Sequence, residues 1–249
     1  MARKKRLDTL LVERQIAADL EAARELIALE QIRVNGILRS SAASQHDEQV
    51  KIALHSSRRF VSRGGEKLET TLEKFGVDPQ GLTCLDLGSS TGGFTDCLLQ
   101  HKARRVYCVD VGYGILDWKL RQDSRVVVLE RTNARFLTSK EIPERIDLCV
   151  IDASFISLNK LLAPILPFFQ GQVTIVALVK PQFQLPPAKV APGGVVSDEA
   201  LHEEAITMVV DYARTIGLCS RGTIASPIRG AKGNQEFFML LTQADNDRH

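Results

Sequence analysis

A chain of 249 residues, 44% hydrophobic and 25% charged, suits one catalytic domain of ordinary size plus a small appendage. No apolar run reaches the ~18 residues of a membrane-spanning helix, and the basic start (Arg3, Lys4, Lys5, Arg6) leads into no apolar export segment, so a cytoplasmic protein that engages no membrane is predicted. A formal net charge of +2 selects no partner, and the five scattered cysteines (Cys84, Cys97, Cys108, Cys149, Cys219) form no CxxC or His-rich spacing, so they read as free buried thiols with no metal expected.

From Arg6 to about Leu54 the pattern is that of a small α+β module. Leu7, Leu10, Leu11 and Ile16 mark one short amphipathic helix; Ala22, Ala23, Leu26, Ile27 and Leu29 mark a second, with Asp19 as its N-cap. Ile32 and Val34 then alternate with polar residues into the Asn35-Gly36 turn, and Gln49 to Leu54 alternates again as a strand. Basic residues gather at the N-terminus and again at Arg58, Arg59 and Arg63, the charge distribution expected where a phosphate backbone is met.

From about Phe60 onward, strands and helices alternate. Strands are predicted over Thr83–Leu87, Arg105–Val109, Val126–Glu130, Asp147–Ile151, Val173–Val179, Ser220–Ile224 and Phe237–Thr242. Helices are predicted between them, over Glu66–Phe75, Phe94–Gln100, Ile115–Arg121, Leu158–Phe168 and Glu199–Gly217. This alternation implies an α/β domain of Rossmann type, a seven-stranded mostly parallel sheet covered on both faces. The last two strands are joined by a loop, Ala225 to Gln235, which predicts a reversed last strand at the sheet edge. The boundaries are 1–57 for the first module, 58–62 for a linker and 63–244 for the catalytic domain.

The segment Asp86-Leu87-Gly88-Ser89-Ser90-Thr91-Gly92-Gly93-Phe94 leaves an apolar strand and opens a helix, the setting of a nucleotide-type ligand. Its glycines permit a tight turn and a close ligand approach, yet it is not GxGxxG, so a dinucleotide pyrophosphate is not indicated. Asp110 ends the next strand, where a carboxylate can accept from ribose hydroxyls, and Asn133 follows the third, where it can meet an adenine edge. Four further residues fall at strand or helix ends on the same rim: Lys67, Asp152, Lys180 and Glu236. Two ammonium groups and two carboxylates there suit deprotonation of a weakly acidic alcohol, with the neighbouring Lys67 lowering the proton affinity of Lys180. If the reaction transfers a methyl group, acceptors other than this alcohol fit less well: Asp152-Ala153-Ser154-Phe155 lacks the Pro-Pro run of exocyclic-amine enzymes, and no cysteine stands where a cytosine-C5 nucleophile would.

Along almost its whole length the sequence resembles the TlyA (haemolysin A) family of ribosomal RNA 2′-O-methyltransferases. The resemblance rests on Arg6-Leu7-Asp8, Val34-Asn35-Gly36, Ser62-Arg63-Gly64-Gly65 with Lys67, Gly88 to Phe94, Asp152, Lys180-Pro181-Gln182-Phe183 and Asn234 to Phe237. It implies an S4-like RNA-binding domain before an FtsJ/RrmJ-type domain, and a Lys67-Asp152-Lys180-Glu236 tetrad with Lys180 as base. It also implies S-adenosylmethionine as cofactor, held by Asp86, Gly88, Ser89, Ser90, Gly92, Gly93, Phe94, Asp110, Asn133 and Asp152. The expected partner is ribosomal RNA or a ribosomal subunit, methylated on a cytidine 2′-hydroxyl, with Lys5, Arg6, Arg24, Arg58, Arg59 and Arg63 meeting the RNA. Two other classes compete: a cytolysin, as the family's older name suggests, and a non-catalytic ribosome-assembly protein.

Overall fold

The computed structural model describes residues 4–28, 31–39, 41–54 and 59–244. The chain divides into two compact units, residues 1–58 and 59–249.

In the first unit, β1 (Lys4–Arg6) runs directly into α1 (Leu7–Glu13), followed by α2 (Leu20–Ala28), β2 (Ile32–Val34), β3 (Ile37–Leu38), β4 (Gln45–Asp47) and β5 (Ile52–Leu54). Leu7, Leu11, Ala23, Ile27, Ile32 and Val34 form its core, and Asp19 accepts from the Ala22 amide at 2.8 Å as the expected cap of α2. Asn35 (φ 51°) and Gly36 (φ 81°) occupy the left-handed region that a two-residue hairpin turn requires, pairing Val34 with Ile37. The pair β1–β4 was not expected, because Lys4-Lys5-Arg6 and Gln45-His46-Asp47 carry no apolar alternation. Leu29, assigned to the second helix, lies outside the described residues.

In the second unit the elements are α3 (Arg63–Phe75), β6 (Thr83–Leu87), α4 (Gly93–Gln100), β7 (Arg105–Val109), α5 (Trp118–Arg121), β8 (Val126–Leu129), β9 (Leu148–Ile151), α6 (Leu162–Ile165), β10 (Thr174–Val179), α7 (Pro181–Gln184), α8 (Glu199–Thr215), β11 (Leu218–Ala225) and β12 (Phe237–Gln243). They build one seven-stranded sheet in the order β11-β12-β10-β9-β6-β7-β8. Alternate strand residues feed two cores. Leu85, Tyr107, Cys149, Ile175 and Met239 pack on one face with Leu162, Ile165 and Val209; Cys84, Val106, Leu148, Val176 and Phe238 pack on the other with Leu68, Leu72, Leu98 and Leu120.

Several expectations change. β12 is reversed, but it lies between β10 and β11 and pairs antiparallel with both, so the edge strand is β11. The crossover through α8 lays β11 one strand further out, and the returning chain fills the gap. Composition agrees: Phe237 to Leu241 is a continuous apolar run suited to an interior strand, whereas Ser220-Arg221-Gly222 is polar and carries the register shift common at edges. The helix expected over 158–168 is broken into two 3-10 turns around α6, because Pro164 and Pro167 remove backbone donors. The helix expected over 115–121 shrinks to α5, whereas α3 begins at Arg63, capped by Ser62, whose hydroxyl accepts from Gly64 N at 3.3 Å.

Residues 59–62, expected as linker, pack within the second unit. Phe60 is buried against Gly65, Val61 N donates to Asp96 Oδ2 at 2.9 Å, and Gln100 Nε2 donates to the Arg59 carbonyl at 2.9 Å.

Candidate active site

Parallel strands end, and the antiparallel β12 begins, at one rim of the sheet. Register fixes which residues meet there. Leu87 pairs with Ile151, Ala177 with Ile151, and Val179 with Phe237, so Gly88, Asp152, Lys180 and Glu236 follow or precede neighbouring strands β6, β9, β10 and β12. Gly88 has φ 81°, and a Cβ there would lie 2.7 Å from the Asp152 carbonyl oxygen, so only glycine lets the chain leave β6 this close to β9.

The four titratable residues form two ion pairs. Lys67, from α3, places Nζ 2.6 Å from Glu236 Oε2, and both side chains are buried. Lys180 Nζ stands 2.5 Å from Asp152 Oδ1 and donates to Ser154 Oγ at 2.9 Å; Lys180 is buried and Asp152 half-buried. Each ammonium is thus oriented by one of the two carboxylates, as expected of them, which charge-compensates groups withdrawn from water. Glu236 has no spare room: a Cβ on Gly230 would lie 2.0 Å from its Oε1.

Beside the Lys180–Asp152 pair lies a cavity of about 480 Å³ lined by Gly88, Ser90, Asp110, Asn133, Asp152 and Phe155 among others, a size that admits a nucleoside-sized ligand. Asp110 is fixed by two backbone donors: Ser90 N to Oδ2 at 2.8 Å and Gly112 N to Oδ1 at 2.7 Å. Asn133 Oδ1 accepts from Arg135 N at 3.1 Å and Nε at 3.2 Å.

Other residues of the glycine segment support this wall from behind. Ser89 is buried, Gly92 abuts Leu116 and Leu120, Gly93 abuts Ser62, and Phe94 packs in the core with its ring 6.0 Å from Phe238. Asp86 is wholly buried; its Oδ2 accepts from Thr95 Oγ1 at 2.6 Å while Oδ1 has no donor. Burial pushes its carboxyl up to about 7, with the charges of Asp152 and Asp110 adding to the rise. Such a group binds its proton more tightly folded than unfolded, so the stability it contributes is complete below its ordinary 3.8 and lost as pH rises through about 7. Asp86→Asn keeps an acceptor for Thr95 without the charge. Its thermal midpoint should vary less with pH between 5 and 8 than the parent's; parallel profiles would rule Asp86 out as the source.

The residues expected to meet RNA are mostly engaged within the chain. Lys5 pairs with Glu13 at 2.8 Å and Glu48 at 3.1 Å, and Arg59 with Glu69 at 2.6 Å. Arg6 and Arg24 share the buried Asp8, at 2.7 and 3.5 Å; the Arg6 guanidinium brings the Asp8 carboxyl down to about 2. Arg63 is exposed and forms no ion pair among the described residues, and Arg58 lies outside them.

Two aromatic features were not anticipated. Phe155 is 91% exposed at the cavity mouth with φ 62°, its ring 5.1 Å from that of Phe183, and Arg131 stacks over Tyr113 at 4.1 Å. An exposed aromatic in a left-handed conformation marks a place where something other than packing decides. The available signal was position alone, just past a strand end.

The FtsJ-like methyltransferase family matches residues 60–243. A Mycobacterium tuberculosis protein named 16S/23S rRNA (cytidine-2′-O)-methyltransferase TlyA is 44% identical over 98% of this chain and 92% of its own. Hemolysin A of Brachyspira hyodysenteriae is 36% identical over 93% and 97%. A Streptococcus thermophilus structure described as a candidate hemolysin superposes with a TM-score of 0.74 at 34% identity, covering 98% of this chain and 90% of that one.

Proposed function

The chain belongs to the FtsJ-like methyltransferase family, among the TlyA proteins, and on that premise we propose that it methylates the 2′-hydroxyl of a cytidine in ribosomal RNA, using S-adenosylmethionine, in the cytoplasm. The observation that carries the reading is the pair of lysine–carboxylate contacts, 67–236 and 152–180, at one rim of the sheet, with Asp152 lining the 480 Å³ cavity.

The cavity suits the cofactor. Asp110, held by two backbone amides, keeps lone pairs free for two ribose hydroxyls, and Asn133, whose oxygen is engaged, keeps its amide hydrogens for an adenine nitrogen. Gly88 and Ser90 bring backbone against the ligand, and Asp152 offers negative charge to a sulfonium. Asp86, Ser89, Gly92, Gly93 and Phe94 act behind that surface, shaping the loop. When bound, S-adenosylmethionine supplies an electrophilic methyl group.

Lys180, in its neutral form, takes the hydroxyl proton as the oxygen attacks; Asp152 and Ser154 hold its nitrogen in place. Lys67 and Glu236, the second pair on the same rim, orient the ribose. A nucleotide drawn from its stack has Phe155 to lie against. In this reading residues 1–57 form an S4-like module that meets RNA by shape and phosphate, using Lys5, Arg6 and Arg24, with Arg58, Arg59 and Arg63 following. Exposed ion pairs such as Lys5–Glu13 are worth little and can be exchanged for phosphate contacts.

Among the described residues no helix is long and apolar enough to cross a membrane. The test is transfer of labelled methyl from S-adenosylmethionine to unmodified ribosomal RNA and subunits, with ribose methylation mapped. A new 2′-O-methylcytidine is expected; methylation of a base only, or none in either substrate, would overturn the reading.

A further inference from the structure

A second cavity, of about 620 Å³, is lined by Arg135, Phe155, Ile156, Lys160, Gln182 and Phe183 among others. It shares Phe155 and Ile156 with the cofactor cavity, and its Gln182 and Phe183 lie two and three residues beyond Lys180 in the chain, so it neighbours the place assigned to the target ribose. The groove holds two glutamines with opposite situations. Gln184 Oε1 accepts from Ser157 Oγ and from Leu158 N, both at 3.0 Å, and ties the chain after β9 to α7. The side chain of Gln182, two residues beyond Lys180, forms no hydrogen bond among the described residues, and its Oε1 is buried without a donor. A buried amide oxygen left unpaired is a cost that folded proteins rarely carry without a use, and an incoming N–H removes it.

We propose that Gln182 reads the edge of the target base, its amide oxygen accepting from an exocyclic amine of the kind cytosine carries. The proposal rests on the methyltransferase reading above and names the residue that selects the base. A side-chain acceptor facing a cytosine amine is established pairing chemistry, and the terminal torsion of glutamine is soft enough to bring the oxygen to the base. The Phe155 and Phe183 rings, 5.1 Å apart, give the base an apolar surface, while the exposed Arg135 and Lys160 suit the flanking phosphates. A site built around a hydrogen bond discriminates strongly against an analogue lacking the partner, because its own polar group is then stranded.

The experiment uses the full chain and ribosomal RNA carrying, at the mapped position, either cytidine or the pyrimidin-2-one ribonucleoside, which lacks only the amine. The parent should lose roughly ten- to hundredfold in kcat/KM on the analogue. Gln182→Leu should lose as much on cytidine and little more on the analogue, whereas Gln182→Glu, still an acceptor, should keep the preference for the amine. Calorimetry with S-adenosylhomocysteine, unchanged in both variants, separates this result from misfolding. If Gln182→Leu methylates cytidine at the parental rate, or parent and variant lose equally on the analogue, Gln182 does not read the amine. A parent inert on cytidine RNA overturns the methyltransferase reading and this inference with it; activity without the coupling overturns this inference alone.

Discussion

Lys180→Ala should lower methyl transfer by roughly 10²–10⁴-fold, the usual worth of a general base, and leave cofactor affinity within about twofold. The separation follows from position. Lys180 reaches Asp152 and Ser154 at the edge of the cavity assigned to the cofactor but does not line that cavity, and Asp110, Asn133 and the β6 turn, which would hold the adenosine, are not among its partners. The informative companion is Lys180→Arg. Arginine keeps the positive charge and can keep the Asp152 pair, but it does not give up its proton at any accessible pH. If Lys180 works by accepting a proton, the arginine variant is as inactive as the alanine variant. If it works only by holding charge near Asp152, arginine restores much of the rate. Single-turnover transfer to ribosomal RNA, with cofactor binding measured separately, distinguishes the two. An active Lys180→Arg protein would remove the proposed base while leaving the pocket assignments standing.

What could be read before the structure was what periodicity and strand ends encode. Buried parallel strands announce themselves as runs such as Thr174 to Val179, and once the strands are placed, the residues at their ends fall on one rim. That is why Asp110, Asp152, Lys180 and Glu236 could be grouped from sequence. Other features have no periodic signature. The polar pair β1–β4 is held by three residues on each side, and α6 looked like part of one long helix because apolar residues continue across Pro164 and Pro167. The position of β12 inside the sheet depends on where a crossover lands, although its uninterrupted apolar run was a usable hint. Asp86, Gly92, Gly93 and Phe94 belong to the glycine segment, yet they face helices and core, a distinction that spacing alone cannot make. Which carboxylate each lysine takes is a matter of rotamers.

Gly230 illustrates a constraint that no sequence pattern revealed, and it carries the second large effect. Its backbone conformation is one that any residue adopts, so the requirement is for space: a Cβ would sit 2.0 Å from Glu236 Oε1 and 2.3 Å from Cδ. A carboxylate at the end of a free side chain would swing aside, but Glu236 is 3% exposed and bound to Lys67 at 2.6 Å, so it can move only by breaking that pair or shifting the strand. The turn itself is tied, Gly230 N donating to the Asn234 carbonyl at 2.9 Å. Gly230→Ala should therefore cost on the order of 10²-fold in kcat, the scale of an ångström-sized misplacement of a reacting group's neighbour. Cofactor affinity should hold, since neither residue lines that cavity. Shortening the acid offers relief: Glu236→Asp alone weakens the contact with Lys67, but in the Gly230→Ala background it frees room for the methyl group. The double variant should then recover at least about tenfold over Gly230→Ala, a non-additivity that general unfolding of the loop would not produce. A double variant no faster than Gly230→Ala, or a single variant at the parental rate, would mean that the close fit around Glu236 has no part in turnover.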